Sequence, residues 1–239
     1  MKIFASTIIL FFSSVLIFSQ NSDSTISVSA GKQYKAGWFY NVFFGKHWRD
    51  VWTTSVETKI LNLNTFVNGL TPHKKGGGFQ TKSLRFKGND NQYWKFRSIE
   101  KDPSKTLPED LRNTIANDIL QDQISSANPY AAFVVAPILD SLKILQSKPY
   151  LYYLPDDPKL GDFRNDFGNM FGILEIHPKY DEEEDVEFDN ADKVVGTLEL
   201  FERLEKKKDE YVNSKEYLKA RLADIIIGDW DRHADQWKW

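Results

Sequence analysis

Apolar residues fill Ile3 to Phe18 almost without a break, relieved only by Ala, Ser and Thr; Lys2 precedes them and polar residues follow at once. This is the pattern of a secretory signal peptide, with a cleavage point after Ser19, near Gln20. The run is about 16 residues, short of the roughly 20 that a membrane-spanning helix needs, so export and trimming are expected rather than anchoring. Further along, Val56 to Phe66 alternates like a strand and Gly69 to Gly78 reads as a turn-rich loop closing on three glycines. Phe79 to Lys87 reads as a strand, Gly88-Asn89-Asp90-Asn91 as a turn, and Tyr93 to Ile99 as the return strand of a hairpin. Period two sets Trp94 and Phe96 on one face and Lys95, Arg97 and Ile99 on the other.

The pattern then changes to a helical period. Thr106-Leu107-Pro108-Glu109 predicts a capping-box start, with a helix running to about Ser125 and an apolar stripe of Leu111, Ile115 and Ile119. At 100° per residue, Asp118 and Asp122 lie within about 40° of Leu111, so both acids lean towards the predicted buried face. A more apolar helix is expected from about Pro129 to Leu145, and Tyr150 to Leu154 reads as a buried strand closed by Pro155. Asp156 to Gly161 reads as a loop, as does the acidic run Asp181 to Asp185, which lacks the Gly and ligand spacing of a calcium loop. Asn213-Ser214-Lys215-Glu216 opens a last helix whose Tyr217, Leu218, Leu222, Ile225 and Ile226 are expected to face a core, and Gly228 stops it.

Composition narrows the function classes. There is no Cys among 239 residues, which removes disulfides, lipoprotein attachment, thiolate metal sites and Cys nucleophiles. A net charge of −3 with both signs interspersed argues against nucleic acid as the main partner. The stretch Tyr34 to Trp52 is dense in aromatics with basic residues between them, for which core packing is the commoner reason. The expected class is α+β, an antiparallel sheet with a packed helix followed by the opening of a helical lobe. The expected divisions are a signal peptide at 1–20, an aromatic-rich extension at 21–55, an α+β region at 56–155, and a helical region at 156–239.

Chemistry concentrates in GDWDRHADQWKW, where Asp229, Asp231, Arg232, His233 and Asp235 fall within seven residues after an apolar helix. Acids held rigidly there suit phosphoryl transfer, which asks a protein mainly for positioning; a charged turn with internal Asp to Arg pairing is the alternative. The run ADIIIGDWDRHADQW resembles the catalytic loop of the atypical kinases: secretory-pathway protein kinases with a G-N-x-D-R-H core, type II phosphatidylinositol 4-kinases with D-R-G-N-D-N-W, and HipA-type kinases with D-x-H-x-x-N. The resemblance implies Asp231 as the catalytic Asp that orients or deprotonates the acceptor hydroxyl, with Arg232 and His233 orienting the loop. Gln236 stands at the metal-binding Asn position and Asp229 where the first group carries Asn.

Gly76-Gly77-Gly78 before a strand, a tight turn and then a strand bearing FRS resembles these kinases' phosphate-covering hairpin, with Arg97 in the role of the phosphate-binding Lys and Asp122 as the acid that pairs with it. The resemblance covers about Lys74 to Trp239 and implies a protein-kinase-like N-lobe, ATP, and Mg or Mn. It also implies a later strand bearing a second metal-binding Asp, so the chain is expected to be a fragment. The GGG, FRS, KDP and GDWDRH pattern is moreover similar to a region of large bacterial exported polypeptides with phosphoesterase and outer-membrane barrel segments, which implies a periplasmic or cell-envelope address. A non-catalytic binding module for a nucleotide, phosphorylated ligand or partner is the competing expectation. A metallophosphoesterase is disfavoured by the lack of an upstream D-x-H and downstream G-N-H-D, and a Ser hydrolase by the lack of G-x-S-x-G.

Overall fold

The structure is a computed structural model that describes residues 24–78, 80–178, 188, 191 and 193–239. The predicted signal peptide, Phe79 and the acidic run 181–185 lie outside the described residues. The elements in chain order are β1 (Thr25–Ser29), α1 (Trp38–Phe44), α2 (Arg49–Thr53), β2 (Ser55–Ile60), β3 (Leu70–Gly76), β4 (Ser83–Gly88) and β5 (Tyr93–Ser98). There follow α3 (Ile115–Gln123), α4 (Ala131–Ser141), β6 (Tyr150–Leu154), α5 (Arg164–Phe167), β7 (Met170–Ile176), α6 (Thr197–Lys206) and α7 (Ser214–Ile227). The class is α+β, as expected, but the sheet is mixed rather than antiparallel, because β2 and β6 pair parallel; its seven strands run in the order β1-β2-β6-β7-β5-β4-β3.

The hairpin is where period two predicts it. β4 and β5 pair antiparallel, Leu84 opposite Phe96 and Phe86 opposite Trp94, and these four are buried with Leu61, Leu63, Leu70, Leu154, Leu160, Phe167 and Leu174 in the larger core. The other sheet face buries Ala30, Tyr34, Trp52, Ile99, Phe171 and Ile173, then turns polar at Lys95 and Arg97. The expected loop at Gly69–Gly78 is instead mostly β3. Pro72 is tolerated because β3 is the sheet's edge and its register shifts between Pro72 and Lys74, so the missing N–H breaks no ladder. β7 was not anticipated, although MFGILEI is apolar except at Gly172 and Glu175, and it lies between β5 and β6.

The helix expected from Thr106 begins later. Asp102 accepts from Ser104 N to start a 3-10 turn, a second turn spans Glu109–Leu111, and the true N-cap of α3 is Thr114, which accepts from Ala116 N. Consequently Leu111, Ile115 and Ile119 are exposed rather than buried, and Asp118 is exposed too. Asp122 does turn inward. The boundaries of α7 are as expected, with Asn213 capping Glu216 N and Gly228 left-handed at φ 75°. Its predicted core face, however, is open: Leu218, Leu222, Ile225 and Ile226 are all at least half exposed, while Ala223 and Asp224 are buried instead.

The stretch after α6 is tied back by charge. Arg203 grips Glu210 at 2.7 Å through two nitrogens, and Lys207 Nζ adds 2.9 Å. The Arg203 and Lys207 hydrogen bonds lower the Glu210 carboxyl to about 2. A depressed carboxylate contributes above its ordinary pKa and loses the contribution as pH falls through the folded value. A carboxyl-carbon NMR titration is therefore expected to give Glu210 a midpoint near 2, and Arg203→Ala to return it towards the ordinary carboxylate range.

Candidate functional site

The hairpin carries the first group of candidate residues. Gly76 stands opposite Ser83, and Ser83 opposite Arg97, so glycine, serine and arginine form one row across three strands. Residues directly opposite share a face, and strands lie about 4.8 Å apart, so Gly76 and Arg97 are about 10 Å apart on the same side. Gly77 has φ +115°, and a Cβ there would meet Thr81 O at 2.2 Å; only glycine makes this turn. The loop's far end is held by Asp102 N donating to Gln80 O at 2.8 Å and Lys82 N donating to Ser98 Oγ at 3.2 Å. Lys75 Nζ bonds Asp166 at 2.5 Å, and this bond, with Lys82 and Lys105 nearby, holds the Asp166 carboxyl below its ordinary pKa. The glycine turn is thus edged by lysines.

Arg97 does not meet Asp122. Its Nη2 lies 3.7 Å from Glu175, which also takes Lys95 Nζ at 2.8 Å. Asp122 instead gives both oxygens to Arg49, at 2.6 and 2.7 Å. The correction has a geometric cause. α2 packs on the same layer as the end of α3, and Arg49, already held by Gly45 O at 3.0 Å, presents its planar fork to the carboxylate. That carboxylate raises the guanidinium above its ordinary pKa.

The second group, separate from the first, lies in the loop after α7, a helix with no extensive packing on the sheet or the hairpin among the described residues. Gly228 turns the chain, and Asp229 N returns to Asp224 O at 2.8 Å. Arg232 binds Asp229 through Nε at 3.2 Å and Nη2 at 3.1 Å, and lies 3.5 Å from Asp224. Arg221 takes the other oxygen of Asp224 at 2.9 Å. Both arginines stack over Trp237, at 5.7 and 5.4 Å from the ring centroid. Trp237, Trp239 and Tyr217 cluster, and Trp239 exchanges backbone hydrogen bonds with Val195 while its Nε1 donates to Thr197 at 3.0 Å. At the exposed edge of this frame Gln236 Nε2 donates to Asp231 Oδ2 at 3.1 Å, and His233 N donates to Asp231 O at 2.8 Å.

The structure therefore brings Asp231 and Gln236 together and ties Arg232 to Asp229 as a structural brace. His233 opens the short turn Ala234–Gln236. The side chain of Asp235 lies outside the described residues. Asp229 does not suit a cation, because Arg232 holds its Oδ2. Gln236 suits one better, since its amide nitrogen is spent on Asp231 and its carbonyl oxygen is the coordinating end. Asp224, 4% exposed, is the residue that the sequence reading missed here. An acid inside an apolar helix, three positions after Arg221, was its signal. Glu175 was missed with its strand. The chain matches no protein-family model, and no curated protein or solved structure matches it.

Proposed function

We propose that this chain is a kinase-like phosphotransferase region of an exported cell-envelope protein, in which the glycine turn and Arg97 hold the phosphates of a nucleotide such as ATP and Asp231 orients or deprotonates the acceptor hydroxyl. The observation that carries it is the row Gly76–Ser83–Arg97 on one sheet face. Backbone N–H groups of a glycine turn can form an anion-binding concavity, and Arg97, two strands away with its backbone about 10 Å off, carries a side chain long enough to reach towards a phosphate held there. Arg97 leans on Glu175 of β7, on the side of β5 away from the glycine turn, so its half-exposed guanidinium must swing across the strand to meet a phosphate there. Asp231 is aimed by Gln236, and the loop is braced by Arg232 and the tryptophans, which is the rigidity that general-base work needs. The frame of a kinase-like N-lobe is proposed on the order of glycine hairpin, cationic strand and helix.

A specific observation favours a second reading, a non-catalytic module that binds a phosphorylated ligand or partner. Asp122 is committed to Arg49 and Asp229 to Arg232, so neither supports a metal triphosphate as the resemblance implies. A periplasmic setting, where no ATP pool is expected, points the same way.

Mg-ATP and Mn-ATP titrations of the full chain by thermal shift, with phosphate turnover measured alongside, separate these. Wild type and Asp231→Ala are expected to gain several degrees at saturating ligand. Arg97→Ala and Gly77→Ala are expected to lose that gain, the latter because a Cβ cannot be accommodated against Thr81 O. Turnover lost in Asp231→Ala supports catalysis, and binding without turnover in wild type selects the non-catalytic module. Equal shifts in all four proteins sink the nucleotide site.

A further inference from the structure

α1 has two sides of different fate. Tyr40 and Phe44 stack at 4.4 Å, and Arg49, buried and tied to Asp122, lies under the Tyr40 ring at 5.2 Å. This side contacts α2 through Arg49 and is the less exposed of the two, with Tyr40 and Phe44 at 40% and 39%. On the other side, within about 140° of helix arc, Trp38, Phe39, Val42 and Phe43 stand 78%, 63%, 68% and 69% exposed. Gly37 and Gly45 bracket the helix, the latter at φ +82°. From Gly31 to Arg49 the chain carries four cations and no acid. Arg49 is inside, which leaves Lys32, Lys35 and Lys46 at the surface on both flanks of the aromatic stripe. Lys46 pairs with Asp50 at 3.3 Å, but both are largely exposed, and such a pair competes weakly with another anion.

We propose that this face docks on an anionic phospholipid surface, with Trp38, Phe39, Val42 and Phe43 entering the headgroup boundary and the flanking lysines meeting the phosphates. The chemistry favours lipid over a protein groove on two counts. Trp and Phe suit the membrane interface, and a short helix that projects four large side chains on the side opposite its contact with Arg49 presents a shallow wedge. The flanking Lys32, Lys35 and Lys46, against the single acid Asp50 beside them, supply the second signal that shallow insertion needs for stable attachment. The inference stands independently of the phosphotransferase reading.

The chain has no Cys, so Val42→Cys gives a single labelling site. With an environment-sensitive fluorophore there, the full chain is mixed with phosphatidylcholine vesicles with or without one-third phosphatidylglycerol, and the same label at Lys208→Cys serves as reference. A blue shift at position 42, quenched by brominated lipid and absent at 208, is expected with anionic vesicles. Lys35→Glu with Lys46→Glu should weaken it about tenfold or more, as should raising salt, with melting temperature unchanged. Because the reporter is local, binding through residues 3–18 does not imitate this result. A label at 42 that stays in water on bound vesicles overturns the proposal. So does equal insertion into neutral vesicles, or a protein-concentration-dependent blue shift without lipid, which would assign the face to a second copy.

Discussion

Asp122→Ala is expected to lower unfolding free energy by about 3–5 kcal/mol, because it strands Arg49 as a buried charge without a counter-ion. The Arg49 side chain is 4% exposed and that of Asp122 12%, and two hydrogen bonds of 2.6 and 2.7 Å join them. The free guanidinium would keep only Gly45 O and the Tyr40 ring, which do not neutralise it. Removing both charges in Arg49→Met with Asp122→Leu should recover more than half of the loss, since the desolvation penalty disappears with the pair. Urea unfolding followed by tryptophan fluorescence measures this, Trp52 being buried nearby with its Nε1 donating to Ala127 O. Arg97→Ala supplies the contrast. Its effect should add to that of Asp122→Ala within about 0.5 kcal/mol, whereas a coupling as large as that between Arg49 and Asp122 would restore the Arg97 to Asp122 pairing implied by the kinase resemblance.

Gly172→Ala should cost about 3 kcal/mol, at the upper end of ordinary overpacking. Gly172 stands opposite Ser98 and Tyr152, in a strand paired on both sides. A Cβ there would come within 2.4 Å of Phe96 Cζ and 2.5 Å of Arg97 O. The first obstacle is the end of a fully buried ring. The second is backbone, so β5 and β7 must separate at the point that positions Arg97. Phe96→Leu should therefore relieve only part of the loss, and ligand affinity at the glycine turn should fall with stability. A Gly172→Ala protein with an unchanged urea midpoint would contradict the Ser98 to Gly172 register itself.

Legibility along the chain followed the range of the interaction. The β4–β5 turn, the opposite faces of Trp94 and Lys95, the Asn213 cap and the Gly228 stop were all readable, because each is set by residues within a few positions. The β3 strand was hidden by Pro72 and the glycines, which look like loop until the edge position is known. β7 was hidden because an apolar run without alternation carries no periodic signal. In the candidate site, the bracing by Arg232 is local and was expected, whereas Gln236, expected at a metal-binding position, is found donating to Asp231 five residues before it. Glu175, which reaches Arg97 across the sheet, was not anticipated.

By itself the sequence determined the α+β class, the absence of thiol chemistry, the period-two faces of the hairpin and the loop that carries Asp231, since turns, caps and alternation are written in neighbouring side chains. Only the tertiary structure decided that Asp122 belongs to Arg49, 73 residues away, that Arg97 leans on Glu175, and that the apolar sides of α1 and α7 are open. The physical reason is that a carboxylate within a helix has several cations within reach of any plausible fold, and which one it meets depends on how distant elements stack, a choice that propensity and periodicity do not encode.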